Sequence, residues 1–396
     1  MRPALLLAFA LVTLPLLSLV PATSASQTLV VGPGGFASIQ AAVDAASPGD
    51  VVFVGEGSYQ EAVTIATPGI TVKGASRTGV ILEGGGLLSD GFLVVADGVR
   101  LESMTAQHYT GNGFVFSGVD GFAMHDLHAI DNAVYGLYAI HSQHGDIGYS
   151  YAEGHGDGGL YIGETWNCDC DVHHNVAWNN MLGYSGTANS YVRIWANEFH
   201  DNRAGILMSV LPNEAGYDTE HEAVYGTQVR SQIFSNYVHH NNNMDVPQHG
   251  IWETIHVPAG EGITIAGGWM NEVYDNLLVE NHLWGVGIFW LSTPPRGNHV
   301  YDNDISGSRY GIWWDEWGED HCFSSNTILV DEETGQVASD PADLPTCPGL
   351  VGPLACPEAL YDYAACRGSD VRAPSAIKEA WLAYRAVNDV PPEQDW

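Results

Sequence analysis

The stretch Tyr135-Gly-Leu-Tyr-Ala-Ile-His-Ser142, followed by Asp157-Gly-Gly-Leu-Tyr-Ile-Gly-Glu164, carries one short word, Gly-Leu-Tyr, twice at a spacing of 23 residues. Weaker copies, a Gly opening a short apolar strand, extend the series through Gly113, Gly136, Gly159, Gly183, Gly205, Gly262, Gly285 and Gly311, with gaps of 23, 23, 24, 22, 57, 23 and 26. A second mark, an Asn between apolar strand residues, runs in step at Asn175, Asn197, Asn236, Asn276, Asn303 and Asn326. Two marks in step establish an internal repeat, which takes precedence over any local reading of secondary structure. The segments are rich in β-branched and aromatic residues and lack a Leu-rich consensus, so the repeat reads as a β-coil of short strands and tight turns. Stacked at about 4.8 Å, such coils pair every backbone group with a neighbour and align equivalent side chains in files. The recurrent asparagines then suit turn positions, where an amide bonds its equivalent one coil away and tolerates left-handed backbone.

Composition agrees with an ordered, exported solenoid. Apolar residues make up 45% of the 396, whereas 13 Lys and Arg face 47 Asp and Glu, for a net charge of −34. So few cations exclude a surface built for phosphate backbones or anionic lipid, which both need clustered Lys and Arg. Residues 1–26 read as a secretory signal: Arg2, an apolar run from Ala4 to Val20, then a small polar segment, with an N-terminal membrane anchor as the alternative. A soluble, monomeric, secreted or otherwise extracytoplasmic chain is expected, with no membrane insertion. Residues 27–50 form an N-terminal cap, in which Ile39, Ala42, Val43 and Ala46 fall at helical spacing; 51–330 form the solenoid; 331–396 form a C-terminal capping segment.

Export permits disulfides. Cys322, Cys347, Cys356 and Cys366 are expected to form two bridges, with three connectivities open. Cys168 and Cys170 differ: two apart on an extended strand, they sit too far apart to bond easily and read as buried thiols. With His173 and His174 nearby they also offer the residue types of a metal site, the less common meaning of such a pattern.

The segment Val31 to Ser76, with Gly-Pro-Gly-Gly-Phe-Ala-Ser-Ile-Gln-Ala-Ala-Val from Gly32, resembles the opening of the pectin lyase-like superfamily. The runs at 135–142, 157–164, 205–212 and 257–263 resemble a family of exported parallel β-helix repeat proteins within it. The resemblance implies an all-β, single-stranded, right-handed parallel β-helix; it implies no particular reaction. The Asp-Pro-His-Asp signature of β-helical alginate epimerases is missing. Gly154-His155-Gly156 resembles the polygalacturonase His motif without that family's other motifs.

In a smooth solenoid, insertions mark the functional face. The 57-residue gap places them near 212–229 and 244–260, carrying His221, Glu222, His249, Trp252, Glu253 and His256 among others. Polar groups just before the Gly-strand mark, Asp131, His155, Asp157, Asp201, Arg203, Glu280 and His282, are expected in one file about 5 Å apart. Carboxylates so spaced supply an acid and a base, or hold Ca²⁺ through oxygens, although no cofactor is required by the sequence. The expected catalytic set is Asp157, Asp201, Arg203, His221 and Glu222. Tyr138, Tyr161, Trp252 and Trp313 are the expected sugar-stacking residues. The leading function is thus a secreted carbohydrate-active protein that cleaves or modifies a polysaccharide as a lyase, hydrolase or epimerase. A non-catalytic repeat module for glycan binding or cell-surface structure is the alternative.

Overall fold

A computed structural model describes residues 26–210 and 228–347. Nearly all of them belong to a right-handed parallel β-helix whose coils each contribute strands to three faces. The first face runs from Thr28–Val31 through Gln143–Gly148, Cys170–His173 and Val192–Trp195 to Cys322–Ser324. The second includes Tyr151–Glu153, Val176–Trp178, Glu198–His200 and Tyr237–His239. The third is a separate 11-stranded sheet that includes Leu137–Ile140, Gly158–Gly163, Leu182–Thr187, Ala204–Ser209, Glu261–Ala266, Trp284–Phe289 and Tyr310–Trp314. Every strand pairing is parallel and joins one coil to the next. The repeat spacing read from the sequence is therefore the length of one coil.

Inward side chains form one continuous core of Val, Ile, Leu and Phe along the axis, from Val31 to Phe323. The N-terminal end is closed by the helix Ile39–Ala45, which buries Ile39, Ala42 and Val43. Ser38 caps it by accepting from Ala41 N, and the Glu61 carboxylate accepts from the amides of Ile39 and Gln40, satisfying donors that a first helical turn leaves open. Cys322 and Cys347 are bonded; Cys356 and Cys366, and the remainder of the expected C-terminal cap, lie outside the described residues.

The asparagines form ladders. Asn197, Asn236, Asn276, Asn303 and Asn326 each accept, through the side-chain oxygen, from the backbone amide of the previous coil's Asn at 3.0–3.1 Å, and Asn175, at the head of the series, accepts from Ser150 N at 2.9 Å. Each amide nitrogen in turn reaches a strand carbonyl of a preceding coil, as Asn236 Nδ2 does to Ile194 O at 2.9 Å. A second ladder runs Asn132, His155, Asn180, Asn202, Asn241 and Asn281. One expectation needs correction: the left-handed residue is not the ladder Asn but the one before it, as at His174, Ala196, Ser235, Asp275, Asp302 and Ser325, with φ between 52° and 55°. That residue makes the corner, and the Asn behind it satisfies the backbone groups the corner removes from the sheets.

Cys168 and Cys170 also depart from expectation, for they form a disulfide. Asp169 between them is left-handed at φ 49°, which draws the two Cα atoms to 5.2 Å, inside bonding range and shorter than an extended strand allows.

Asn236 lies mid-ladder. Replacing Asn236 by Ala strands the Asn197 amide and the Ile194 carbonyl, and the expected loss is about 1–3 kcal/mol of stability. A lower urea midpoint with unchanged far-ultraviolet circular dichroism checks this.

Candidate functional site

The parallel register places two outward files side by side on the first face. One holds Arg100, Ala123, Asp146, Asp171 and Arg193; the other, two residues further along each strand, holds Glu102, His125, Gly148, His173 and Trp195. Gly148 stands between His125 and His173. A Cβ there would approach His173 Cε1 to 2.7 Å, so the missing side chain is what allows the two imidazoles to lean over the intervening coil. Asp146, on that coil, bridges them: its Oδ2 lies 2.9 Å from His125 Nε2 and its Oδ1 2.9 Å from His173 Nε2. One ligand atom from each of the three groups lies within 4.8 Å of the others, and no other such trio occurs among the described residues.

Burial works against ionisation of Asp146, yet the hydrogen bonds from His125 and His173 outweigh it and hold the carboxyl well below its ordinary range. His173 also meets the corner residue His174, with Nδ1 to Nδ1 at 2.9 Å, and its ring stacks on Trp195 at 4.8 Å. Burial, reinforced by His173, lowers His174 to about 4, so its imidazole is neutral at pH 7. Two atoms that each carry a lone pair when deprotonated need one proton between them. The neutral pair therefore runs His174 Nδ1–H to His173 Nδ1, then His173 Nε2–H to the Asp146 carboxylate. Two imidazole nitrogens with one carboxylate oxygen is a donor set suited to Cu²⁺, Zn²⁺ or Ni²⁺, unlike the all-oxygen shell Ca²⁺ takes.

The third face carries the residues expected from the sequence, distributed over two files. Asp131, Asp201 and Glu280 occupy the left-handed corner, at φ 48°, 52° and 53°, in register with Gly154, Asn179 and His240. Asp157 and Arg203 instead open strands of the third face, with Met181 between them in register. Asp157 stands three residues past its corner residue, Gly154, whereas Asp201 is itself a corner residue, so the single column of acids divides. Asp201 pairs with His200 on the second face, Oδ2 to Nδ1 at 2.6 Å; burial opposes its ionisation, but that hydrogen bond lowers it overall. His221 and Glu222 lie outside the described residues, as does most of the 212–229 insertion. His155 is a fully buried rung of the second ladder rather than a surface group.

The other insertion, 244–260, lies across the third face. Val246, Val257 and Trp252 pack on Met181, Leu182, Ala204 and Leu207. His249 N donates to Gly156 O at 2.9 Å, and Arg203, fully buried, donates from Nε to Val257 O at 2.5 Å and meets His256 Nε2 at 3.2 Å. Beneath the strap, Asp157 is 8% exposed. It accepts from the Tyr135 hydroxyl at 2.9 Å, while its other oxygen and the nearby Trp252 Nε1 lack hydrogen-bond geometry with any partner. Desolvation raises Asp157 to about 6, against the pull of Trp252 and Tyr135. Desolvation likewise raises Glu261 to about 7, against Thr264 and Arg203. Tyr138 and Tyr161 share one file and stack with Tyr135 at 4.5–4.8 Å, but Tyr161 is buried among them; Trp313, in the same file, stacks on Trp284 at 5.0 Å.

Sequence reasoning brought Asp157, Trp252, Tyr138 and Tyr161 to one place but passed over His125, Asp146 and Gly148. Their signal was the coil length itself: 125, 148 and 173 are one coil apart.

A family model described as "Periplasmic copper-binding protein (NosD)" matches residues 91–310. No curated protein matches the chain by sequence. Among solved structures, the A-module of the Azotobacter vinelandii mannuronan C-5 epimerase AlgE4 is 14% identical, with a TM-score of 0.53 over 73% of this chain and 90% of that one. The catalytic unit of a GH87 α-1,3-glucanase from Streptomyces thermodiastaticus is 14% identical, with a TM-score of 0.56 over 77% and 65%. A DFA-IIIase from Arthrobacter chlorophenolicus is 10% identical, with a TM-score of 0.51 over 76% and 98%. At these identities the likeness is one of fold.

Asp157 holds its proton to a higher pH in the folded chain than in the unfolded one, so its burial is cost-free below about pH 4 and increasingly destabilising as pH rises through about 6. Asp157→Asn is therefore expected to stabilise the protein at pH 7.5 by roughly 1–3 kcal/mol, with the gain vanishing near pH 4, as read from denaturation midpoints across pH.

Proposed function

Since the match spans more than half of its length, the protein belongs to the periplasmic copper-binding protein (NosD) family, and we propose that it binds copper outside the cytoplasm through His125, Asp146 and His173. The observation that carries this reading is the convergence of those three ligand groups, within 4.8 Å, inside the matched span. His125 and His173 would hold the ion through Nε2 and Asp146 through its carboxylate. Bound copper would supply a softer, imidazole-seeking cation than Ca²⁺. The chain's own residues do the rest: Gly148 keeps the gap between the imidazoles clear, the ionised Asp146 offsets cationic charge, and the neutral His174 would accept at its Nδ1 from His173 Nδ1–H, the tautomer that leaves the His173 Nε2 lone pair free for an ion. The net charge of −34 favours the approach of any cation.

A second reading is favoured by a separate observation, the proton-holding Asp157 beside Tyr135 and Tyr138. It makes the third face a site that cleaves or modifies a polysaccharide, with Asp157 as acid, the buried Arg203 as the cation in its file, and Tyr138, Trp252 and Trp313 against the sugar. Asp201, His221 and Glu222 remain the candidates for the other roles. The solved relatives, an epimerase module and a glucanase among them, give this reading its precedent of fold.

Calorimetric titration with Cu²⁺ is expected to show one saturable site, weakened roughly ten-fold or more by His173→Ala. An unchanged affinity in that variant rejects the assignment. For the second reading, Asp157→Ala is expected to abolish release of reducing ends or unsaturated uronates from a polysaccharide panel while Cu²⁺ affinity stays at the wild-type value; a panel on which wild type and variant are equally silent removes it.

A further inference from the structure

Arg100 lies in register with Ala123, one coil before Asp146 in the same file. Ala123 is too short to intervene, and the guanidinium turns toward the neighbouring file, placing Nη2 3.3 Å from His125 Nδ1. Its Nε also lies 3.2 Å from Glu102 Oε1, and Glu102 is shared with Lys73 Nζ at 3.1 Å. An arginine in water only donates. Its contact with Nδ1 therefore requires a lone pair there and puts the His125 proton on Nε2, where it points to Asp146 Oδ2 at 2.9 Å. A cation coordinated by His125 Nε2 needs the opposite arrangement, with the lone pair on Nε2 and the proton on Nδ1. Two donors, Nδ1–H and Nη2–H, would then face each other.

We propose that Arg100 is a positioning residue that gates the His125–Asp146–His173 site by locking His125 in the tautomer that cannot coordinate. The inference rests on the copper reading of that site. Loading requires Arg100 to leave His125, and Glu102 is the acceptor already in reach. The imidazole proton then passes from Nε2 to Nδ1 through solvent, so no net proton is lost by His125 and no bond other than N–H is broken. The gate sets affinity through one surface guanidinium: while its Nη2 stays on His125 the site is closed, and when Glu102 alone holds it the site is open. Arg100 also carries positive charge close to the place a cation would occupy, so lock and charge act in the same direction.

The experiment uses the full exported chain with Cu²⁺ as the only probe, and two readouts: calorimetric affinity, and the ring ¹⁵N shifts of His125 in metal-free protein. Arg100→Met keeps the aliphatic stem without donor or charge. It is expected to bind Cu²⁺ roughly ten-fold tighter than wild type and to move the His125 shifts from an Nε2–H ring toward a mixture of tautomers. Glu102→Gln, which weakens the alternative partner of Arg100, is expected to bind more weakly with the Nε2–H pattern retained. Wild-type affinity in Arg100→Met, in a protein whose His173→Ala variant has lost binding, overturns the gate and leaves the copper site standing. Tighter binding with unmoved ring shifts overturns the tautomer lock and leaves charge alone. Absence of saturable binding in both wild type and Arg100→Met overturns the copper reading together with the gate.

Discussion

Everything in this molecule depends on the stacking of one coil directly upon the next. The parallel strand pairings impose it, and the asparagine ladders hold it at the corners, where strands end and backbone amides would otherwise face the core without partners. Most ladder corners, Gly154 excepted, place a non-glycine residue in left-handed backbone, at a cost of about 1 kcal/mol or more. The ladder offsets that cost by giving each Asn two roles, an oxygen for the coil before and a nitrogen for a strand carbonyl, which an ionised Asp side chain cannot perform together. His155 occupies a rung because its Nδ1 accepts in the place of an Asn oxygen, which also explains why a residue suggestive of catalysis is sealed inside the wall.

The same stacking creates chemistry by contrast between neighbouring rungs. On the first face most files are filled without interruption, as in the run of rings His173, Trp195, Phe234, Tyr274 and Tyr301. The cluster of His125, Asp146 and His173 appears where Gly148 interrupts that file and Ala123 interrupts the next. A missing side chain in a solenoid is an opening one coil deep, and long polar side chains from adjacent coils converge over it. On the third face the reverse happens. The 244–260 strap covers the file, so Asp157, Arg203 and Glu261 are withdrawn from water and two of the three carry protons to unusually high pH.

Much of this could be read from the residues alone. The interval between Gly136 and Gly159 gives the coil, the recurrent Asn gives the ladder, and Ile39, Ala42 and Val43 give the capping helix. Less of the site was legible. Asp157 and Asp201 look equivalent in sequence, but Asp201 is the corner residue of its coil whereas Asp157 stands three residues past its own corner, Gly154, at the start of the third face. The Cys168–Cys170 bridge was unreadable for a related reason, since it depends on the left-handed Asp169 and not on the spacing of the thiols.

A repeating β-coil, its period and its acidic, base-poor character follow from composition and from intervals along the chain. Which residues meet is settled in the stack of folded coils. In a stacked coil, contact is set by register to within one residue, and a side chain changes face with every step along a strand. His125, Asp146 and His173, separated by 21 and 27 residues, are therefore neighbours in space for a reason that no local pattern contains.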